Sequence, residues 1–166
     1  MATTITIPMA LLTVEVNSGN AFWTAKSGNQ IDDGHVRFVD GGLGKATYYM
    51  IAPKNIAATE AWNLDIHHHA DAGAGSGNVV LQVLAQAMSD TSVLDANTSL
   101  LVAPSAYAAD TVMTITRLSG GTFDSSIQLL SNSLLRVIVI RSGNDGNDTV
   151  GADWNLNSLN WIGDIE

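Results

Sequence analysis

The chain of 166 residues contains no cysteine, which excludes a disulfide framework, a thiol nucleophile and thiolate metal ligands together. Charge is scarce as well: only 14 % of residues are Asp, Glu, Lys or Arg, against about 25 % in an average soluble domain. Much of the surface must therefore be Ser, Thr, Asn, Gly and Ala, or be covered by neighbouring subunits. Positive charge is the scarcer sign, with 7 basic against 16 acidic residues and a formal net charge of −9. No basic stripe exists to neutralise phosphates, so nucleic acid is a poor partner. An anionic membrane surface is disfavoured on the same ground. No apolar run approaches the roughly 20 residues of a membrane-spanning helix. The opening "MATTITIPMALLTVEV" has no basic residue ahead of Lys26 and carries Pro8 within its apolar part. A secretory leader wants the opposite on both counts, so the segment reads as mature protein made in a cytoplasm.

What the chain has in quantity is alternation with a period of two. "HVRFV" (35–39), "ATYYMIA" (46–52), "AWNLDIHHH" (61–69) and "NVVLQVLAQAM" (78–88) are short runs rich in β-branched or aromatic residues. "TVMTITRL" (111–118), "SLLRVIVIR" (133–141) and "WNLNSLNWI" (154–162) continue the series. With one strand in "TITIPMALLTVEV", about eight strands result, enough for a sandwich or barrel. The links "DGGLGK" (40–45) and "DAGAGSGN" (71–78) are turn chemistry and too short for a helical crossover, which argues for antiparallel pairing. Two regions break the rhythm. Residues 89–110 read as an irregular excursion, and "FDSSIQLLSN" (123–132) as a short helix near 124–130 capped by Asp124. Residues 1–35 are expected to form an N-terminal strand with its loop or an arm reaching a neighbouring subunit, and residues 36–166 a sandwich domain.

Enzymatic and nucleotide-binding motifs fail on inspection. "GGLGKAT" (41–47) lacks the first glycine of a phosphate loop, where Val39 stands, and has Ala46 where a hydroxyl must meet magnesium. No serine occupies a nucleophile elbow; Ser76 sits among glycines without a strand-to-helix turn. No catalytic residue and no cofactor are assigned, and the chain is read as no enzyme. In "HHH" (67–69), His67 and His69 project to one face of a strand and His68 to the other. His67 and His69 are thus the candidate metal ligands, set against a reading as polar residues on a half-exposed strand. The loop "RSGNDGNDTVGADW" (141–154) fails the EF-hand pattern, with Thr149, Val150 and Leu156 at positions that need Asp or Asn, Gly and Glu. It reads as a turn between the last two strands, braced across their ladder by Arg141 with Asp148 or with Asp153.

The four tryptophans, Trp23, Trp62, Trp154 and Trp161, are candidates for the core or a subunit interface, or for a sugar-stacking platform. Trp154 and Trp161 differ in parity. If both point inward, a bulge near Asn157 and Ser158 must reset the register.

The stretch "LLRVIVIRSGNDGNDTVGADWNLNSLNWI" (134–162) resembles the ending of bacteriophage virion jelly-roll structural proteins, in which an apolar run, an Arg and an Asp-rich loop precede a final strand. The upstream "VRFVDGGLGKATYYMIAPKNIAATEAWNLDIHHHADAGAGSGNVVLQV" is similar to the same group, so the resemblance covers about residues 36–162. It departs in having three consecutive histidines, and the first 35 residues match nothing in the group. The resemblance implies an all-β, jelly-roll-like antiparallel sandwich. It further implies a homotrimeric capsid cement (decoration) protein, assembled in the host cytoplasm into the virion and contacting the major capsid protein or another virion protein. The alternative is a carbohydrate-binding or structural module of a tail fibre or spike.

Overall fold

A computed structural model describes residues 2–15, 21–24, 35–56, 62–71, 76–88, 99–118 and 133–166. The described residues form eleven strands and no helix: β1 (Thr3–Pro8), β2 (Ala10–Glu15), β3 (Ala21–Thr24), β4 (His35–Phe38), β5 (Leu43–Ile51), β6 (Asn63–Ala70), β7 (Gly77–Met88), β8 (Ser99–Ala109), β9 (Thr114–Leu118), β10 (Leu134–Ser142) and β11 (Trp154–Ile165). Sheet A has the order β3-β4-β11-β6-β9, with β1 also pairing β11, and sheet B the order β2-β5-β10-β7-β8. All of these pairings are antiparallel. From β4 to β7 and from β8 to β11, each successive strand lies in the opposite sheet. Links that hop between layers in this way give the jelly-roll-like sandwich that period-two patterning anticipates.

The two inner faces meet in one core. It is built from alternate residues such as Val36 and Phe38 of β4, Tyr48 and Met50 of β5, Leu64 and Ile66 of β6, Val79, Leu81 and Val83 of β7, and Leu135, Val137 and Val139 of β10. Burial raises the Tyr48 hydroxyl above the usual phenol range, because an ionised oxygen would be stranded among apolar neighbours.

β11 carries most of the topology. Its first residues, Trp154–Leu156, pair with β4, and residues 160–165 pair with β1 on the same edge. On its other edge the ladder with β6 shifts register between Leu156 and Ser158. That shift is the bulge that parity demands: Trp154 and Leu156 before it and Leu159 and Trp161 after it are all fully buried. Two residues beyond Trp161, a Cβ on Gly163 would overlap the indole ring itself. Gly163→Ala must therefore push a packed Trp off its site and is expected to cost about 1–3 kcal/mol in urea unfolding. Gly151→Ala, where a Cβ meets nothing within 4 Å, should change stability by less than about 0.5 kcal/mol. Equal effects of the two would contradict this packing.

Three expectations are corrected. The supposed excursion at 89–110 contains β8, an eleven-residue strand. Its Pro104 reads against a strand, but β8 is the edge of sheet B, and Pro104 falls in the irregular stretch where the pairing steps from Leu81↔Ser105 to Val83↔Val102. A missing N–H is tolerated at an edge and at a bulge. The single N-terminal strand is instead two, parted at Met9, with β1 in sheet A and β2 in sheet B. Strand β9 begins only at Thr114, after a bend at Thr111 and Val112. The helix expected near 124–130 lies outside the described residues. In the 40–45 turn Gly41 has φ 72°, a conformation that L side chains rarely adopt.

Candidate functional site

Both outer sheet faces carry polar residues, and the difference between them locates the candidate site. On sheet A, alternation along β6 sends Asp65, His67 and His69 outward, where they join a lattice of polar side chains. His69 Nδ1 lies 2.8 Å from Asn157 Oδ1 and its Nε2 lies 3.3 Å from Asn155 Nδ2. A proton on Nδ1 lets the ring donate to Asn157 and accept from Asn155, so a neutral imidazole satisfies both. His67 Nε2 is 3.1 Å from Asn160 Nδ2. Asn155 donates to Asp71 at 2.6 Å, and Arg37 bridges Asp71 at 3.2 Å and Asp153 at 2.5 Å. Arg117 grips Asp65 through two bonds of 2.6 Å. Every charged group of this array has a partner, while Asn155 Oδ1 and Asn157 Nδ2 are buried without one. Among the described residues no group of three or more His, Asp or Glu side chains converges as a metal site, and both nitrogens of His69 already have partners.

His68 turns inward from the same strand and is fully buried. The Trp154 indole N–H donates to its Nδ1 at 2.9 Å, which forces the proton onto Nε2, 2.8 Å from Thr116 Oγ1. Burial, together with the charges of His69 and His67, lowers its pKa from 6.5 to about 4.

Arg141 is a structural node. The loop after β10 crosses from sheet B to sheet A, so it spans the sandwich and no ladder joins its two ends. Arg141 and Asp148 both have 0 % side-chain exposure and pair through Nε at 3.1 Å and Nη2 at 2.9 Å. Further bonds run from Nη1 to the Phe38 and Ala152 carbonyls, and from Nη2 to the Val150 carbonyl and to Asp40. All five N–H groups are thereby used. Asp148 also accepts from the Val80 amide at 3.0 Å, tying the loop to β7. Asp153 is not part of this node; it accepts from Arg37 and from the Asp40 amide at 2.8 Å.

Sheet B presents the contrasting face. Leu135, Val137 and Val139 of β10 point into the core, so Leu134, Arg136, Ile138 and Ile140 point out. Register places Arg136 between Tyr49 on β5 and Gln86 on β7. With neighbouring strands about 4.8 Å apart, that row spans about 10 Å. The outward face is secluded although it is not core: Thr47, Val80, Gln86, Met88 and Ile140 are all buried. Yet the Arg136 guanidinium makes no hydrogen bond or ion pair to any described residue, and its Nε is buried without a partner. Such a group costs about 1–3 kcal/mol when left unsatisfied; among the described residues it is the charged one of the buried side-chain groups without a partner, so its persistence asks for a ligand.

The three tryptophans whose side chains are described do not build a platform. Trp62, Trp154 and Trp161 are buried in the core, and Trp23 lies in β3 opposite Val36, its side chain outside what the structure describes. Among the described side chains, the aromatic that does stand on an outer face is Tyr49, which sequence reasoning passed over. The available signal was "LLRVIVIR" itself: apolar residues at both parities mean that both faces are shielded, and a lone Arg on the outer parity then stands out.

Fold and face together define an all-β, jelly-roll-like sandwich with a secluded, polar-aromatic sheet surface. No protein-family model matches the chain, and no curated protein is significantly similar to it. Solved structures do share the fold. The Arthrobacter globiformis T6 isomalto-dextranase, solved with panose, aligns over 95 % of this chain with a TM-score of 0.53 and 15 % identity. The present chain spans only 23 % of that enzyme's length. The family 11 carbohydrate-binding module of Clostridium thermocellum Lic26A-Cel5E aligns over 99 % of this chain and 89 % of its own, with a TM-score of 0.50 and 10 % identity. The xylan-binding module CBM15 aligns over 97 % of both chains with a TM-score of 0.48 and 12 % identity.

Proposed function

We propose that the chain is a non-catalytic carbohydrate-binding module that receives a glycan on the outer face of sheet B. The observation that carries this reading is the row Tyr49–Arg136–Gln86: an outward aromatic ring beside an unengaged, partly buried guanidinium on a rigid, secluded strand surface. A tyrosine ring offers a stacking surface for the C–H face of a sugar, and Arg and Gln supply hydrogen bonds to its oxygens. Strands hold these groups at fixed spacing, so little ordering cost is left for binding. The likeness in fold to a family 11 carbohydrate-binding module supports the reading. On the virion placement that the sequence resemblance implies, the module belongs to a tail fibre or spike that meets a glycan-coated surface.

Glycan-array binding by the wild type is expected, with Tyr49→Ala lowering affinity about tenfold or more while leaving the melting temperature nearly unchanged. An unaltered array profile in that variant would remove the reading. A second reading, the trimeric cement protein, is favoured by one observation: Val112, Met113 and Ile115 stand exposed on and beside β9, the edge strand of sheet A. Apolar edges of this kind are ready to pair with another copy. Light scattering that finds a stable monomer at micromolar concentration counts against it.

A further inference from the structure

We infer that the glycan taken by sheet B is acidic, and that a sugar carboxylate pairs with Arg136; this rests on the carbohydrate-binding reading above and narrows its substrate class. Three of the chain's four arginines are committed to carboxylates: Arg37 to Asp71 and Asp153, Arg117 to Asp65, and Arg141 to Asp148. In a chain with 16 acidic and 7 basic residues, carboxylate partners are plentiful. Arg136 nevertheless has none among the described residues.

Its surroundings explain why no internal partner is near. The outward positions of β5, β7 and β10 contain no Asp or Glu, whereas the outer face of sheet A gathers Asp65 and Asp71. Leu134 and Ile138 flank Arg136 on its own strand, and Ile138 faces Leu84 across the ladder. Low-dielectric neighbours of this kind strengthen a charge interaction and penalise an unpaired cation.

A neutral sugar covering the site would complete its desolvation and return only hydroxyl hydrogen bonds. A carboxylate returns charge-assisted bonds, roughly twice as strong, in the bidentate geometry that the guanidinium fork matches. The chemistry selected is therefore a uronate-bearing chain, its carboxylate at Arg136 and a neighbouring ring against Tyr49. Long-range repulsion from the net charge of −9 does not forbid this, because at physiological ionic strength it fades over about 8 Å.

The test is calorimetric titration at physiological salt with polygalacturonate, alginate and hyaluronate, each beside its methyl ester, and with neutral galactan and xylan. At least one acid polymer is expected to bind about tenfold or more tighter than its ester. Arg136→Gln is expected to abolish that preference, and Arg136→Lys to retain part of it, with thermal melting of both variants checking that the fold persists. Equal binding of acid and ester by the wild type, or an intact acid preference in Arg136→Gln, overturns the inference. Binding of neutral glycans alone, lost in Tyr49→Ala, overturns it while leaving the carbohydrate reading in place; binding of no glycan in either set overturns both.

Discussion

Asp148→Ala is expected to destabilise the fold by about 3–5 kcal/mol, because it leaves a fully buried guanidinium without its counter-charge. Arg141 keeps its three bonds to carbonyls after the change, yet none of these neutralises it. The remaining carboxylate, Asp40, lies 3.3 Å away and is 45 % exposed, so it compensates only in part. The lost Val80 amide bond adds to the penalty. Arg141→Met alone strands Asp148 in the same way. The double variant Arg141→Met with Asp148→Ala removes both charges and should be markedly more stable than the sum of the single losses implies. Urea unfolding of the four proteins measures the coupling directly. Simple additivity would mean that the buried pair does not hold the loop to the sandwich. Asp65→Ala, which breaks the pair with solvent-exposed Arg117, should have a far smaller effect.

Acid should weaken the protein through His68. Its pKa is 6.5 in the unfolded chain and about 4 in the fold, so the unfolded state binds the proton first as pH falls. The stabilisation is fully present above pH 6.5 and is lost progressively down to pH 4, amounting to about 3 kcal/mol. Burial is the main cause, with the charges of His69 and His67, and the geometry agrees: a proton on Nδ1 would face the Trp154 indole N–H across 2.9 Å. Stability of the wild type measured by urea unfolding from pH 7 to pH 4 is expected to fall more steeply than that of His68→Gln. The variant starts lower but lacks the titrating group. Parallel curves would show that His68 is not held neutral by its setting.

Much of this fold could be read from the chain because its physics is local. Alternation in "ATYYMIA" and "NVVLQVLAQAM" announced two-faced strands, and the opposed parity of Trp154 and Trp161 required the bulge that β11 contains. β8 was hidden because Pro104 and an alanine-rich sequence carry no period-two signal; its strand exists through the neighbour β7 and the tolerance of an edge. The loop brace was legible only as a choice. Arg141 had to meet an aspartate, but selecting Asp148 over Asp153 depends on the loop crossing between sheets, which no local pattern encodes. The binding face was the least visible part. Tyr49, Arg136 and Gln86 lie 50 and 87 positions apart along the chain at the extremes of that row's spacing to Arg136, and only the ladders of β5 and β7 against β10 bring them side by side.

One detail of sheet A bears on how such a unit can be used. Thr3 and Ile165 are partners in the same ladder, so the strand nearest the start and the strand nearest the end leave the fold side by side at one margin. That margin belongs to sheet A, whereas Tyr49 and Arg136 stand in sheet B, so this ladder and the Tyr49–Arg136 row lie in different layers of the sandwich.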